Sequence, residues 1–249
     1  MSDGFFVGEL GAGVGPGDEV AITGSEAHHA AVVRRLAVGE TVTVVDGHGL
    51  AVLGPVVSCS KSLVSVRVEE VVAAPVAQPC LIVAQALPKQ DRAELAVDLM
   101  TEAGVDQIVP WAASRSQVRW SGERGDKAYA KWRGAAREAS KQARRSRFPV
   151  VGECASLGQV VDLVGGADCA LIMHEKATRP VWECDVPCQG RVVIVIGPEG
   201  GLTDDEVAAL EAAGGRACSM GPTVLRTSTA AAIAVTQVRL LAELARGEQ

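Results

Sequence analysis

The stretch "RVVIVIGPEGGLTDDEV", residues 191–207, decides the fold. Its residues 192–196 are a continuous apolar run, the pattern of a strand buried on both faces of a parallel sheet. A loop of Gly197, Pro198, Glu199, Gly200 and Gly201 follows, and "TDDEV" then opens a helix with Thr203 and Glu206 at capping-box spacing. A dinucleotide fold wants G-x-G-x-x-G in such a loop and a P-loop wants G-x-x-x-x-G-K-[ST]; neither is present. Glu199 stands where a phosphate would sit, which disfavours an anion. The loop suits a ligand with a positive or neutral centre and an adenine-like ring contacted by backbone groups.

Outward from this stretch, strands and helices alternate. After a linker "VVAAPVAQP" (71–79), "CLIVAQAL" (80–87), "DQIVPW" (106–111), "CALIM" (169–173), "RVVIVI" (191–196) and "RACSM" (216–220) read as strands. "DRAELAVDLMTEAG" (91–104), with Asp91 and Glu94 as a capping box, "DKAYAKWRGAAREASKQARR" (126–145), "TDDEVAALEAAGG" (203–215) and "TSTAAAIAVTQVRLLAELAR" (227–246) read as helices. This order predicts a mostly parallel α/β sheet covered on both faces. Parallel sheets bind ligands beyond the carboxyl ends of their strands, and three loops leave such ends: "QALPKQD" (85–91), "GPEGG" (197–201) and "MGPTVLRTSTA" (220–230).

Residues 1–72 differ. "DEVAI" (18–22), "ETVTVVD" (40–46), "LAVLGPVVSCS" (50–60) and "SLVSVRVEEV" (62–71) read as short strands, with a hairpin through "DGHG" (46–49) and one helix, "SEAHHAAVVRRLA" (25–37). The expectation is a small β-barrel-like domain over 1–72 and a larger α/β domain over 73–249.

With 48% hydrophobic and 3% aromatic residues, Val, Ala, Leu and Ile must fill the core. No run approaches the roughly 18 apolar residues of a membrane span, and "MSDGFFVGEL" lacks the pattern of a signal peptide; a cytoplasmic protein is expected. Seven scattered cysteines fit free thiols in a reducing compartment. Cys184 and Cys188, with His174 upstream, supply too few ligands for zinc, so no metal is expected. The net charge of −6 hides a concentration of base: residues 115–147 carry 11 Lys and Arg against Glu123, Asp126 and Glu138. Such a stripe is either a solvated helix face or a set of phosphate contacts, and the excess of Arg over Lys favours phosphate.

"IGPEGGLTDDEV" together with "MGPTVLRTSTAAAIAV" resembles the signature of the SPOUT methyltransferases, and more closely the bacterial 16S ribosomal RNA uridine-N3 methyltransferases. "HHAAVVRRLAVGETVTVVDGHG", "ALPKQDRAELAVDLMTEAGVDQIVPWAASRSQV" and "REASKQARRSRFPVV" extend the resemblance over nearly the whole chain. Ser228 and Leu99 depart from the family pattern, in which many relatives carry an acidic residue and some a lysine.

The resemblance implies a PUA-like RNA-binding domain joined to a domain with a C-terminal trefoil knot, S-adenosylmethionine as cofactor, 16S rRNA of the small ribosomal subunit as partner, and a homodimer whose apolar last helix lies at the interface. It places cofactor contacts at Ile196, Gly197, Pro198, Gly200 and Gly201 in one loop, at Met220, Gly221, Leu225 and Thr227 in another, and at Leu87. A β-carbon at Gly200 is expected to block the cofactor. Arg226 is the candidate for stabilising a uracil anion, or else a buried structural arginine. Glu199 either accepts the N3 proton or caps backbone amides. Thr227 and Ser228 are expected as N-caps of the last helix. RNA contacts are expected from Arg34 and Arg35, from Lys89 and Arg92, from Arg115 and Arg119, and from Arg144 and Arg145 at the end of the basic helix. Two other functions fit the same sequence: a SPOUT methylase acting on another RNA position such as a tRNA ribose, and a non-catalytic RNA-binding assembly factor.

Overall fold

Two units emerge from one chain: Met1–Val76 with Ser140–Phe148, and Ala77–Ala139 with Pro149–Gln249. The computed structural model describes residues 4–247, without the side chains of Gln90 and Asp91.

In the first unit β1 (Gly4–Val7) pairs in parallel with β3 (Thr41–Val45). The other pairs are antiparallel: β3 with β4 (Leu50–Cys59), β4 with β5 (Leu63–Arg67), and β5 with β2 (Glu19–Thr23). β6 (Glu70–Ala73) joins the first half of β4. The expected single strand over 62–71 is therefore two, because the chain bends after Arg67 to pair with both halves of β4. Gly54 permits this: a Cβ there would stand 1.7 Å from the Arg67 carbonyl oxygen. The hairpin at 46–49 forms as its sequence requires, the Asp46 carboxylate accepting the amides of His48 and Leu50 at 2.6 and 3.0 Å.

The helix expected over 25–37 is shorter. α1 (Gly24–His28) passes into one π-helical turn, His29–Val33, and ends as the Leu36 amide turns back to the Ala30 carbonyl and buries its side chain. β1 was unexpected; the three residues between Gly4 and Gly8 are too few to show a period. Residues 140–148 also belong here. Phe148 packs on Val7, Val45 and Ala51, and Lys141 Nζ meets a Glu26 carboxylate oxygen at 2.7 Å with both side chains nearly buried.

The second unit is a six-stranded sheet in the order β12-β10-β11-β7-β8-β9, with every pair parallel. Its strands are β7 (Cys80–Ala86), β8 (Gln107–Trp111), β9 (Val150–Val151), β10 (Cys169–Met173), β11 (Arg191–Ile196) and β12 (Arg216–Cys218). α2 (Gln90–Glu102), α3 (Gly122–Gln142) and α6 (Thr227–Gly247) cover one face; α4 (Leu157–Gly165) and α5 (Asp204–Ala212) cover the other. Alternate residues of β7 explain its unbroken apolarity: Leu81 and Val83 enter one core, Ile82, Ala84 and Ala86 the other.

Three details differ from the sequence reading. β9 and α4 were unexpected, although the Ser156/Gln159 capping box of α4 is formed. α2 starts one residue earlier than its assumed cap, with Lys89 in the N-cap position; the Asp91 side chain lies outside those described. Arg144 and Arg145 lie beyond the end of α3, in a turn where their amides bond the carbonyls of Lys141 and Ser140 at 3.1 and 2.9 Å and Arg144 takes φ 53°. That is a left-handed helix stop of the kind usually filled by glycine.

Candidate functional site

β7 and β11 are neighbours, with Gln85 opposite Ile196 at their carboxyl ends. From there the chain departs in opposite senses: β7 leads through α2 to β8 on one side, β11 through α5 to β12 on the other. Reversal of strand order opens a crevice above the sheet, the usual ligand position in such folds. Trp111 fixes both rims, its Nε1 donating to the Ile196 carbonyl at 3.2 Å and its own carbonyl accepting from the Leu87 amide at 3.0 Å.

The loop 197–202 is held from below. Its Pro198 carbonyl accepts the Gly201 amide at 2.9 Å, closing a turn that leaves Gly201 at φ 71°, a conformation suited to glycine. Arg115 Nη1 donates to the carbonyls of Gly200 and Leu202 at 3.0 and 3.1 Å. The capping box of α5 forms as expected: Thr203 Oγ1 accepts the Glu206 amide, and the Glu206 carboxylate accepts the Thr203 amide. Glu206 also accepts the Ser114 amide at 2.7 Å. Burial works against its charge, but the hydrogen bonds from Thr203 and Ser114 outweigh burial and hold the carboxyl below its ordinary range. A Cβ on Gly200 would meet Arg115 Cβ at 3.1 Å. The expected clash at Gly200 is therefore with this clasp beneath the loop.

Above the loop lies a pocket of two adjoining lobes that share Glu175, Pro198, Gly201, Val224 and Leu225. The narrow lobe, about 110 Å³, runs between the exits of β10, β11 and β12; the wide lobe, about 580 Å³, opens towards α2. Ile196, Gly197, Pro198, Gly201, Met220, Gly221 and Leu225 line the narrow lobe as expected residues brought together. Gly200 and Thr227 line the wide one, beside Glu199, Arg226, Lys89 and Arg92. The sequence reading missed Met173, His174 and Glu175, the exit of β10. The strand-end rule that found the other loops could have found this one. Gln237 Nε2, from α6, steadies the far wall by donating to the Met220 carbonyl at 3.3 Å. Burial and the neighbouring Cys184 push the Cys218 thiol beneath that wall up to about 12, which leaves it protonated.

Glu199 accepts the Lys89 amide at 3.1 Å, at the start of α2. Arg226 is exposed, which removes the buried structural role, and its carbonyl accepts the first amides of α6 from Thr229 and Ala230. Arg226 thus holds the cap position. Thr227 and Ser228 are buried first-turn residues, not N-caps, and the Ser228 hydroxyl has no hydrogen-bond partner among the described residues. Leu87 is buried, lines neither lobe, and opens onto a separate cavity. Arg119 donates to the carbonyls of Ala113 and Ser114 at 2.8 and 3.2 Å. Arg34, Arg35, Arg144 and Arg145 belong to the first unit. Among the described residues no three His, Cys, Asp or Glu side chains gather as metal ligands, and none of the seven cysteines is in a disulfide.

The RNA methyltransferase domain family matches residues 77–239, and the RNA methyltransferase PUA domain family matches residues 22–69. Ribosomal RNA small subunit methyltransferase E of Mycobacterium bovis is 40% identical over 229 residues, covering 90% of this chain and 87% of that protein. The Bacillus subtilis protein of the same name is 31% identical over 237 residues, covering 92% and 93%. A Legionella pneumophila protein described as a methyltransferase, solved with the bound cofactor SAM, superposes with TM-score 0.83 at 29% identity over 95% of this chain and 96% of that one. The parallel sheet, the pocket at its reversal point and these matches over both units agree: the chain belongs to the RNA methyltransferase family that includes ribosomal RNA small subunit methyltransferase E.

Proposed function

We propose that this protein uses S-adenosylmethionine to methylate N3 of a specific uridine in 16S rRNA of the small ribosomal subunit, in the cytoplasm. The observation that carries the proposal is the pocket at the β7/β11 reversal, with Arg226 exposed on its wide lobe, in a chain matched over nine-tenths of its length by small-subunit rRNA methyltransferases. The residues fit the cofactor. Among the described residues no Lys or Arg lines the narrow lobe, whose walls include glycine backbone, Met173, His174, Ile196, Leu202, Met220 and Leu225, with Glu175 as its carboxylate. That lining suits an adenosyl group and a positive centre and disfavours phosphate. When bound, S-adenosylmethionine supplies a methyl group already activated by its sulfonium.

The chain must do the rest. Uracil N3 carries a proton and is a poor nucleophile until the proton leaves. Glu199 holds the Lys89 amide and accepts that proton, and Arg226 stabilises the negative charge left on the base. A cation at a helix N-terminus opposes the helix dipole by about 0.3–1 kcal/mol, so the place of Arg226 at the start of α6 favours a role outside stability. Ile196, Gly197, Pro198, Gly200, Gly201, Met220, Gly221, Leu225 and Thr227 form the cofactor wall.

The first unit, which holds residues 1–72 together with 140–148, serves as the RNA-binding domain, and the rest of 73–249 as the methyltransferase domain. Arg34, Arg35, Arg144 and Arg145 contact phosphate from the first unit, and Lys89 and Arg92 do so at the pocket mouth. The C-terminal part of the second unit forms the trefoil knot. The working species is a homodimer. α6 buries Ala231, Val235 and Val238 in its own core yet leaves Leu240 and Leu244 59% and 58% exposed one turn apart, a face for a second copy.

The test is the modification map of 16S rRNA from a strain lacking the protein. One N3-methyluridine should be lost, and the purified protein with S-adenosylmethionine should restore it. An unchanged map overturns the substrate; no calorimetric binding of S-adenosylmethionine overturns the enzyme and leaves an assembly factor.

A further inference from the structure

Leu87 opens onto a cavity of about 510 Å³ within the second unit, bounded by the exit of β7, the segment Val118–Trp120 and one side of α3. No described residue lines both this cavity and either lobe of the cofactor pocket. Its walls are unusual for this chain, of which only 3% is aromatic. Half-buried Trp120 stands edge-to-face on buried Trp132, ring centroids 5.2 Å apart at 86°. Around them are Leu87 and Val118, with the exposed cations Arg124 and Lys131 on the α3 side and Arg119 turned onto the Ala113 and Ser114 carbonyls. Glu94, the one carboxylate of the lining, lies 3.7 Å from Lys131 Nζ.

We infer that this cavity receives an unstacked base of the RNA substrate, at a nucleotide flanking the one that is methylated. The inference rests on the function proposed above and adds to it a second RNA subsite. An aromatic wall with exposed cations beside it matches a nucleotide: the ring system stacks a base of any sequence, and the cations meet the phosphates on either side. The base held here is not the reacting one, because the cavity and the cofactor pocket have separate walls. They are adjacent nonetheless. The β7–α2 connection turns Lys89 and Arg92 to the cofactor lobe and Pro88 and Ala93 to the cavity, so a strand crossing it places successive nucleotides on its two sides.

The experiment uses the full chain, S-adenosylmethionine and small ribosomal subunits lacking the modification. Trp120→Ala should raise KM for the subunit about tenfold, with kcat and S-adenosylmethionine affinity unchanged, and Trp120→Phe should recover most of the loss. Unchanged KM in Trp120→Ala overturns the inference. So does Trp120→Leu performing as well as Trp120→Phe, which would make the residue a filler. Conversion of a dimer to a monomer on sedimentation would make the cavity a subunit interface and overturn it equally. If Trp120→Ala does not fold, the double change Arg124→Ala with Lys131→Ala, on exposed α3 positions, should lower the salt slope of subunit binding by about two; an unchanged slope and KM reject the site. A wild-type chain that binds no S-adenosylmethionine and methylates nothing removes the proposed function itself, a result separate from any of these.

Discussion

Around the pocket of the second unit, Arg115 and Arg119 turn their guanidinium groups onto the carbonyls of Gly200, Leu202, Ala113 and Ser114. In the first unit, Arg35 and Arg144 stand exposed on left-handed backbone, both at φ 53°, the two non-glycine residues of positive φ among those described. The same side chain does opposite things. Near the pocket its donors replace missing backbone partners and fix a glycine loop that has little else to hold it. In the first unit it occupies conformations that cost an L-residue roughly 1–2 kcal/mol and glycine almost nothing. A stripe of charge in the sequence therefore contains two populations, separated by where their donors point.

Arg226 tests that division hardest, because it is exposed and lines the wide lobe itself, whereas Arg115 holds the loop from beneath. As anion stabiliser it should be worth about a hundredfold or more in kcat, the scale of removing one preorganised donor. Arg226→Ala should show that loss with S-adenosylmethionine affinity unchanged, and Arg226→Lys should recover part of it. Full kcat in the alanine variant would move Arg226 to the surface arginines and leave the charge on uracil without a partner.

Arg115 comes next. If its two bonds stiffen the cofactor loop, Arg115→Ala should weaken S-adenosylmethionine binding about tenfold, or about 1.4 kcal/mol, and leave the salt dependence of RNA binding alone. Calorimetry and RNA titration at several salt concentrations separate the cases. Intact cofactor affinity with a salt slope lowered by about one would return Arg115 to the phosphate contacts.

Legibility in the sequence followed the same division. The strands of the second unit were readable because burial on both faces leaves an unbroken apolar run, as in 192–196. The α5 capping box was readable because Thr203 and Glu206 act within four residues. The pocket loops were found by glycine and by strand ends. What escaped depends on distance in sequence: Ser114 reaching Glu206, Arg115 reaching Gly200, and Phe148 joining a core formed by Val7, Val45 and Ala51. No local pattern distinguishes an arginine that will find a carbonyl 85 residues away from one that will face solvent. β1 and β9 escaped for the opposite reason, being too short to show a period.

Arg144 carries the smallest effect and the sharpest contrast. It fills the left-handed stop of α3 where glycine is the usual residue, so Arg144→Gly relieves backbone strain of roughly 1–2 kcal/mol. Glycine also gains freedom in the unfolded chain, worth roughly 0.5–1 kcal/mol, and the net expectation is a gain in stability of a few tenths to about 1 kcal/mol. If Arg144 touches phosphate, the same variant should bind rRNA more weakly, with a salt slope lower by about one, and S-adenosylmethionine affinity should not change. Stability and RNA binding would then move in opposite directions in one purified protein, which a purely structural role cannot produce. An arginine kept only to complement the helix dipole predicts otherwise: its removal costs a few tenths of a kcal/mol against the gain, and RNA binding keeps both its strength and its salt dependence. Chemical denaturation and RNA titration on Arg144→Gly decide between these, and a variant with unchanged RNA binding removes Arg144 from the interface.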